Sequence, residues 1–552
     1  MKERWCVMAW YSRPRSGAFP RIRSSAERVG GLAVLLTWMV SALACGGSAA
    51  YLSAAELTAT AALHSGAGGG SEITPPALNL PTLPAAPSLQ AATLAEAPTP
   101  IPPMPTSTPT LIEAGTPRPP ILYYAQAGDT LPALAIRYGV AAEEITSPDP
   151  LDPTGLITPG QLLVIPNRLD GLGPDQALLP DSEVVYSPSA VGFDIETFVQ
   201  SAGGYLAAYR EYLTDRTYTG AGVIERVATE NSVNPRLLLA LVEYQSGWVY
   251  GQPDSLAKVD YPLGWVALER KGLYKQLTWA VQNLFIGYYR WREGRLTTLT
   301  FKDGSTLRLA PNLNAGSVAL QYLFAQLYPY PRWQAVLYGE AAFPAVYERM
   351  FGSPWLRART VEPLIPPGVT QPDFILPFLP GHTWAFTGGP HSAWGPDSAL
   401  AALDFAPSST QSGCAPSEEW VTAVAGGLVV RSEKGVVVLD LDGDGHEQTG
   451  WAVLYLHIAS EGRPPVGTWL EQGALVGHPS CEGGSATGTH VHLARKYNGE
   501  WVLADGPLPF VLDGWRAQAG SAPYQGRLVQ GDQVVKACTC ASFETHITRP
   551  AR

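Results

Sequence analysis

The sequence predicts a multidomain α+β chain. It would comprise a small βααβ module, a mostly α-helical middle domain and a C-terminal antiparallel β-sheet domain. Three observations predict this. Residues 122–166 begin and end on strand-like runs, Leu122-Tyr-Tyr and Leu162-Leu-Val-Ile, with Gly-Asp-Thr opening a helix between them. Residues 195–352 carry apolar side chains at helical spacing, and beyond a proline-rich joint at 364–380 the pattern changes to short strands between glycines.

At 552 residues the chain is long enough for three or more domains, on a prior of about 150 residues each. A hydrophobic content of 46% is that of a globular protein, while 50 prolines and 56 glycines imply linkers and many turns. The net charge of −11 argues against nucleic acid as a partner, because phosphate binding needs basic patches. It leaves peptides and glycans open.

The first 28 residues carry Lys2, Arg4, Arg13, Arg15, Arg21, Arg23 and Arg28, and an apolar run of fourteen follows from Gly31 to Ala44. A spanning helix needs about 20 apolar residues, so this run reads as a signal-peptide core. The long basic stretch suggests a start at Met8. The run ends Ala42-Leu-Ala-Cys45-Gly-Gly-Ser, which resembles a bacterial lipoprotein cleavage site with Cys45 as the lipidated residue. Lipidation, plain cleavage and an uncleaved anchor stay open. Each puts the body of the protein outside the cytoplasmic membrane, on its outer face or secreted. Residues 46–120 are rich in Pro, Ala and Thr, bury too little apolar surface to fold, and read as an extended spacer.

In residues 121–167, Asp129 or Thr130 can cap a helix whose Leu131, Leu134, Ala135 and Tyr138 share one face. Thr158-Pro-Gly-Gln then turns the chain into the closing strand. Gly-Asp-Thr-Leu with this ending resembles a LysM module. The resemblance implies a βααβ fold that binds the glycan of peptidoglycan or chitin through Gly128, Asp129 and Thr130, with residues 157–160 beside them. The competing reading is that Asp129 and Thr130 only cap the helix.

Residues 190–360 form the helical domain. Leu277, Val281, Leu284, Tyr288 and Trp291 line one face, and Lys302-Asp-Gly-Ser305 marks a hairpin. The segment from Val233 to Trp248 resembles the catalytic helix of lysozyme-like transglycosylases, where a glutamic acid precedes the serine as general acid. Gln245 stands there instead, and an amide cannot deliver that proton. Glu243 falls on a different side of the helix. A non-catalytic helical domain is expected.

Residues 370–515 form the β-rich domain, followed by a C-terminal extension at 516–552. Nine histidines occur in the chain, and four, His391, His457, His490 and His492, lie in apolar or glycine-flanked settings. In Thr489-His-Val-His-Leu493 strand alternation puts His490 and His492 on one face, about 7 Å apart, which suits a metal site. Trp451-Ala-Val-Leu-Tyr-Leu-His457 is an apolar strand. Thr387-Gly-Gly-Pro-His391 is followed by Ala401-Ala-Leu-Asp404.

This constellation resembles the M23 zinc metallopeptidases of the lysostaphin and LytM type. The resemblance implies His391, Asp404 and His492 as Zn2+ ligands, His457 and His490 as catalytic histidines, and a peptidoglycan peptide as substrate. The usual spacing is His-x-x-x-Asp, whereas here twelve residues, Ser392 to Leu403, lie between. Gly395 and Pro396 permit that loop to leave and return. The segment from Val466 to His478 continues the sheet and looks like a glycine-punctuated segment of the same family, with His478 structural. The alternative to a peptidase is a catalytically silent wall-binding scaffold that activates another hydrolase. A muramidase acting through the helical domain is opposed by Gln245.

Cys414 and Cys481 flank the predicted active-site sheet and would form a disulfide in an exported protein, the alternative being two buried thiols. Cys538-Thr-Cys540 is too tight for an ordinary strand-bridging pair. Asp440-Leu-Asp-Gly-Asp-Gly445 matches the first half of a calcium loop, but Trp451 stands where a glutamate is expected. An acidic turn is the favoured reading over bound calcium.

Overall fold

Two short strands, β1 (Ile121–Tyr124) and β2 (Leu162–Ile165), pair antiparallel around helix α1 (Leu131–Tyr138). The computed structural model describes residues 118–408 and 413–551. The export segment, Cys45 and spacer residues 46–117 lie outside the described residues. Thr130 caps α1 through its side chain and Gly139 closes it in the left-handed region. The second helix expected of a βααβ unit is only one 3-10 turn, 142–144. Pro148, Pro150 and Pro153 follow it, and proline lacks the N–H needed to continue a helix.

The middle region is built on α2 (Gly220–Asn231), α3 (Pro235–Ser246), α4 (Leu273–Arg292) and α5 (Ala315–Leu327). The expected hairpin is present, with Thr298–Thr300 paired to Thr306–Arg308. Helix α4 crosses α5 closely at Gly287, where an added Cβ would sit 2.8 Å from the Ala319 Cα. The face of α4 read from the sequence, Leu277 to Trp291, is buried.

The C-terminal region is organised by one sheet. Its strands are β3 (Thr383–His391), β4 (Ala402–Pro407), β5 (Gly427–Glu433), β6 (Val436–Asp440), β7 (Trp451–Leu456), β8 (Trp469–Leu470), β9 (Val491–Tyr497), β10 (Glu500–Trp501) and β11 (His546–Thr548). Their order is β8-β5-β6-β7-β9-β4-β3-β11, with β10 hairpinned onto β9, and every pairing is antiparallel. The segment read as an extension, 516–552, supplies the edge strand β11 and most of a second, four-stranded sheet. It completes the domain instead of trailing from it.

Strand β7 is buried at all six positions because both faces of the sheet are covered. Val453 and Tyr455 pack with Phe405, Val437 and Leu493 in one core. Ala452, Leu454 and Leu456 pack with the helical region in another. The β9–β10 turn is pinned to that region: the Trp501 backbone N–H donates to the Tyr289 hydroxyl at 3.1 Å and its indole N–H to the Asn231 carbonyl at 3.1 Å. The Ser232 hydroxyl donates to the Gly499 carbonyl at 2.7 Å. These contacts decide which sheet face the helical region covers.

Candidate metal centre

Pairing of β4 with β9 sets Asp404 directly opposite His492, and pairing of β7 with β9 sets Leu456 opposite His492, so His457 follows just beyond. His391 ends β3 and pairs with Ala402 past two irregularities in register. One of these lies at Gly388, where a Cβ would stand 2.4 Å from Asp404 Oδ2. Only glycine lets β3 pass so near the carboxylate. Three distant stretches of sequence therefore meet at one point on the face that the helical region covers.

The ligand atoms are well disposed. His391 Nε2 lies 3.2 Å and His492 Nδ1 3.3 Å from Asp404 Oδ1, and the two nitrogens are 2.9 Å apart. Tetrahedral zinc with bonds of about 2.0–2.1 Å requires ligand separations of roughly 3.3 Å. Asp404 is buried, and its Oδ1 has no hydrogen-bond partner. A buried carboxylate oxygen without a partner is costly unless a cation takes it. His391 Nδ1 donates to the Gly389 carbonyl at 2.8 Å and His492 Nε2 to the Ala393 carbonyl at 3.0 Å, leaving one nitrogen of each ring for the ion. Burial opposes ionisation of Asp404, but His391 and His492 outweigh it and hold its pKa far below the usual range. Burial pushes His391 down, yet Asp404 raises it overall; for His492 burial wins.

His457 and His490 stand beside this cluster with ring centroids 4.5 Å apart. His490 Nε2 is 3.9 Å from Asp404 Oδ1. The Nδ1 of His457 donates to the Glu482 carbonyl and that of His490 to the Gly488 carbonyl, each at 2.8 Å. Burial and the neighbouring His490 push the His457 pKa down to about 4. Cys414 and Cys481 are bonded, with S–S 2.09 Å. The bond lies next to Glu482, and Gly413 accepts the Thr489 N–H at 3.0 Å, so one bridge borders the supports of both histidines.

The loop between Ser392 and Leu403 is part of the site. It supplies the Ala393 carbonyl to His492, and Asp397 binds Arg290 of α4 at 3.1 Å and Gln282 at 3.3 Å. A cleft of about 1400 Å³ runs past His391, His457 and Tyr524 to Tyr289, Arg290 and Glu293 of the helical region. Sequence reasoning missed Tyr524, whose ring stacks on His391 with centroids 4.1 Å apart. It also missed the carbonyls that orient the imidazoles, because backbone acceptors leave no residue-type signal.

Other sequence-predicted residues fall elsewhere. Asp129 is buried: it accepts from the Tyr123 hydroxyl at 2.6 Å and pairs with Arg137 at 2.7 Å. Arg292 lies against Gly128 and donates to the Ala127 carbonyl, while Thr130 stays partly exposed as the helix cap. Gln245 accepts from the Tyr328 hydroxyl at 2.7 Å, and Glu243 accepts the N–H groups of Val249 and Tyr250. His478 binds the Glu419 carbonyl and packs on Trp420. Cys538 and Cys540 are bonded to each other.

Residues 177–365 match the family described as LasA, N-terminal domain. Over 350 residues the chain is 29% identical to Protease LasA of Pseudomonas aeruginosa, spanning 59% of this chain and 75% of that protein. LasA of a second strain gives 29% over 345 residues. The chain is a LasA-like zinc metallopeptidase of the M23 type.

Its zinc site is His391, Asp404 and His492. The match to the LasA N-terminal domain takes in the helical region. Among solved structures, the M23 metalloprotease pseudoalterin, described as from the deep sea, is 24% identical, covering 30% of this chain and 96% of that one with a TM-score of 0.26. The lysostaphin catalytic domain of Staphylococcus simulans is 19% identical, covering 22% and 89% with a TM-score of 0.17.

Proposed function

We propose that this peptidase works outside the cytoplasm and hydrolyses peptide bonds of peptidoglycan, with His457 and His490 as its catalytic histidines. The observation that carries the reading is the pair of imidazoles beside the His-Asp-His cluster, each with Nδ1 held by a carbonyl and Nε2 left for chemistry. Held by His391, Asp404 and His492, a zinc ion would supply a Lewis acid for the scissile carbonyl and would lower the pKa of a bound water. His457 is neutral near pH 7 because burial opposes its charge, so it can accept a proton and then hydrogen-bond the developing oxyanion. His490 Nε2, on the Asp404 side, is placed to pass a proton to the leaving amine. The Cys414–Cys481 bond is consistent with an oxidising compartment.

Glycan binding by residues 121–167 would tether the enzyme to its polymer. The buried pairing of Asp129 argues that this residue is structural, which leaves Thr130 and residues 158–160 as the exposed rim for a sugar.

The test measures bound zinc and release of new amino groups from purified peptidoglycan, with wild type and His492→Ala, His457→Ala and His490→Ala. One zinc per chain and amine release in wild type are expected, with zinc lost in the first variant and kept in the other two while turnover falls. A folded, zinc-loaded wild type that releases no amines would support the wall-binding scaffold. New reducing ends without amines would support a muramidase.

A further inference from the structure

The turn between β6 and β7 opens with Asp440-Leu-Asp-Gly-Asp-Gly445. One carboxylate oxygen from each of Asp440, Asp442 and Asp444 lies within 4.8 Å of the others. Acidic groups often cluster on surfaces without a ligand, but Asp440 is not on the surface. It is the last residue of β6 and is fully buried. Its Oδ2 accepts the Gly445 N–H at 2.8 Å, which fixes the carboxylate. Its Oδ1 is buried and has no partner.

No described basic side chain answers this oxygen. Arg431 on β5 and Lys496 on β9 are both paired with Glu447, at 3.0 and 2.7 Å. A buried carboxylate oxygen beside two more carboxylates is a strained arrangement unless a cation sits among them. The spacing indicates which cation. Carboxylates at the first, third and fifth positions, with glycine at the sixth for the sharp turn, are the opening ligands of a calcium loop. Gly445 has φ +92°, a conformation that side chains disfavour. The seventh position is the His446 carbonyl, which accepts from the Thr449 hydroxyl at 2.9 Å and would have to turn to reach the ion. All of these donors are oxygen, which suits a hard cation and disfavours zinc. Trp451 at the twelfth position offers no carboxylate, so water must complete the shell.

We propose that Asp440, Asp442 and Asp444 bind a calcium ion that braces the β6–β7 turn. The affinity belongs to the extracellular class, with Kd on the order of 0.1–1 mM, because the loop has three carboxylates and lacks the bidentate glutamate. The brace acts on the active-site sheet from its far end. Gly450, at the close of this turn, donates to the Asn498 side chain at 2.9 Å, and its carbonyl accepts the Asn498 N–H at 2.9 Å. From there β7 runs to His457, and Asn498 follows β9, whose other end carries His492. The proposal is independent of which bond the peptidase cuts.

Trp469 lies against Gly443, within reach of the turn, and serves as a sensitiser. Full-length protein is stripped with chelator, reloaded with one equivalent of zinc, and titrated with Tb3+ while exciting tryptophan. Thermal unfolding is followed with 5 mM Ca2+ or Mg2+. Saturable terbium emission that Ca2+ displaces is expected, with a Tm rise of about 2–4 °C for Ca2+ and a smaller one for Mg2+. Asp442→Asn and Asp444→Asn, both at exposed positions that leave the buried core intact, should weaken binding at least 10-fold. His492→Ala should leave the calcium response unchanged. Absence of emission and of a Tm shift in wild type would overturn the proposal. So would an undiminished response in both asparagine variants, or an equal response to magnesium.

Discussion

Asp404 and His492 face each other on adjacent antiparallel strands, so the hydrogen-bond register itself sets carboxylate against imidazole, Oδ1 to Nδ1 3.3 Å. No flexible loop holds these two ligands. Replacing either should remove metal without dissolving the sheet. Asp404→Asn and His492→Ala are expected to lower zinc affinity more than about 100-fold, read by metal analysis after dialysis, while circular dichroism stays that of a folded β protein. Stoichiometric zinc in both variants would refute the ligand assignment.

The disulfide should matter to turnover beyond its share of stability. Cys414 and Cys481 are 67 residues apart in sequence, and opening such a loop typically costs about 2–4 kcal/mol. The bond also borders Glu482, whose carbonyl orients His457. Cys414→Ser with Cys481→Ser should lower the urea midpoint and reduce kcat more than it raises KM. A variant with reduced stability but native kcat would show that the bridge is a staple only.

Tyr524 makes a separable contribution. Its ring stacks on His391, and stacked pairs contribute about 0.5–1.5 kcal/mol beyond burial. Tyr524→Ala should weaken zinc binding by roughly 10-fold through a looser His391, whereas Tyr524→Phe should bind zinc as wild type does. Competition with a chromogenic chelator reads both.

The helical region carries a pH signature of its own. Burial, together with nearby Asp181, pushes the Glu362 carboxyl up to about 7 from an ordinary 4.5. Between those values the folded chain holds a proton that the unfolded chain has shed. The stabilising difference is therefore full below about pH 4.5 and is lost as pH rises to about 7. Glu362→Gln keeps an acceptor for the Ser182 N–H, now at 2.8 Å, and should flatten this part of the stability profile by about 1–3 kcal/mol. Denaturant melts of both proteins at pH 5 and pH 8 measure it.

Much of the site was legible because zinc chemistry restricts its ligands to few residue types, and His490-Val-His492 on a strand fixes relative direction. Glycine in Thr387-Gly-Gly-Pro-His391 also left a trace, since the Asp404 carboxylate occupies the space a side chain would need at Gly388. Tyr524 left none: it lies 120 residues from Asp404 and reaches His391 only because the four-stranded sheet folds back onto β3. Asp129 could be read two ways from the sequence. A residue that fits a binding motif is held in an internal ion pair under the helical region.

The sequence by itself determined local matters: the α4 stripe, the strands and the hairpin at 298–308, set by spacing and side-chain chemistry over a few residues; the zinc ligands were legible through the resemblance to the M23 peptidases. Only the tertiary structure decided that both faces of the sheet are covered, that the 516–552 segment completes the domain, and that a carboxylate oxygen of Asp440 is stranded without a partner. Those facts depend on which surfaces exclude water together, and that exclusion is a property of the packed chain as a whole.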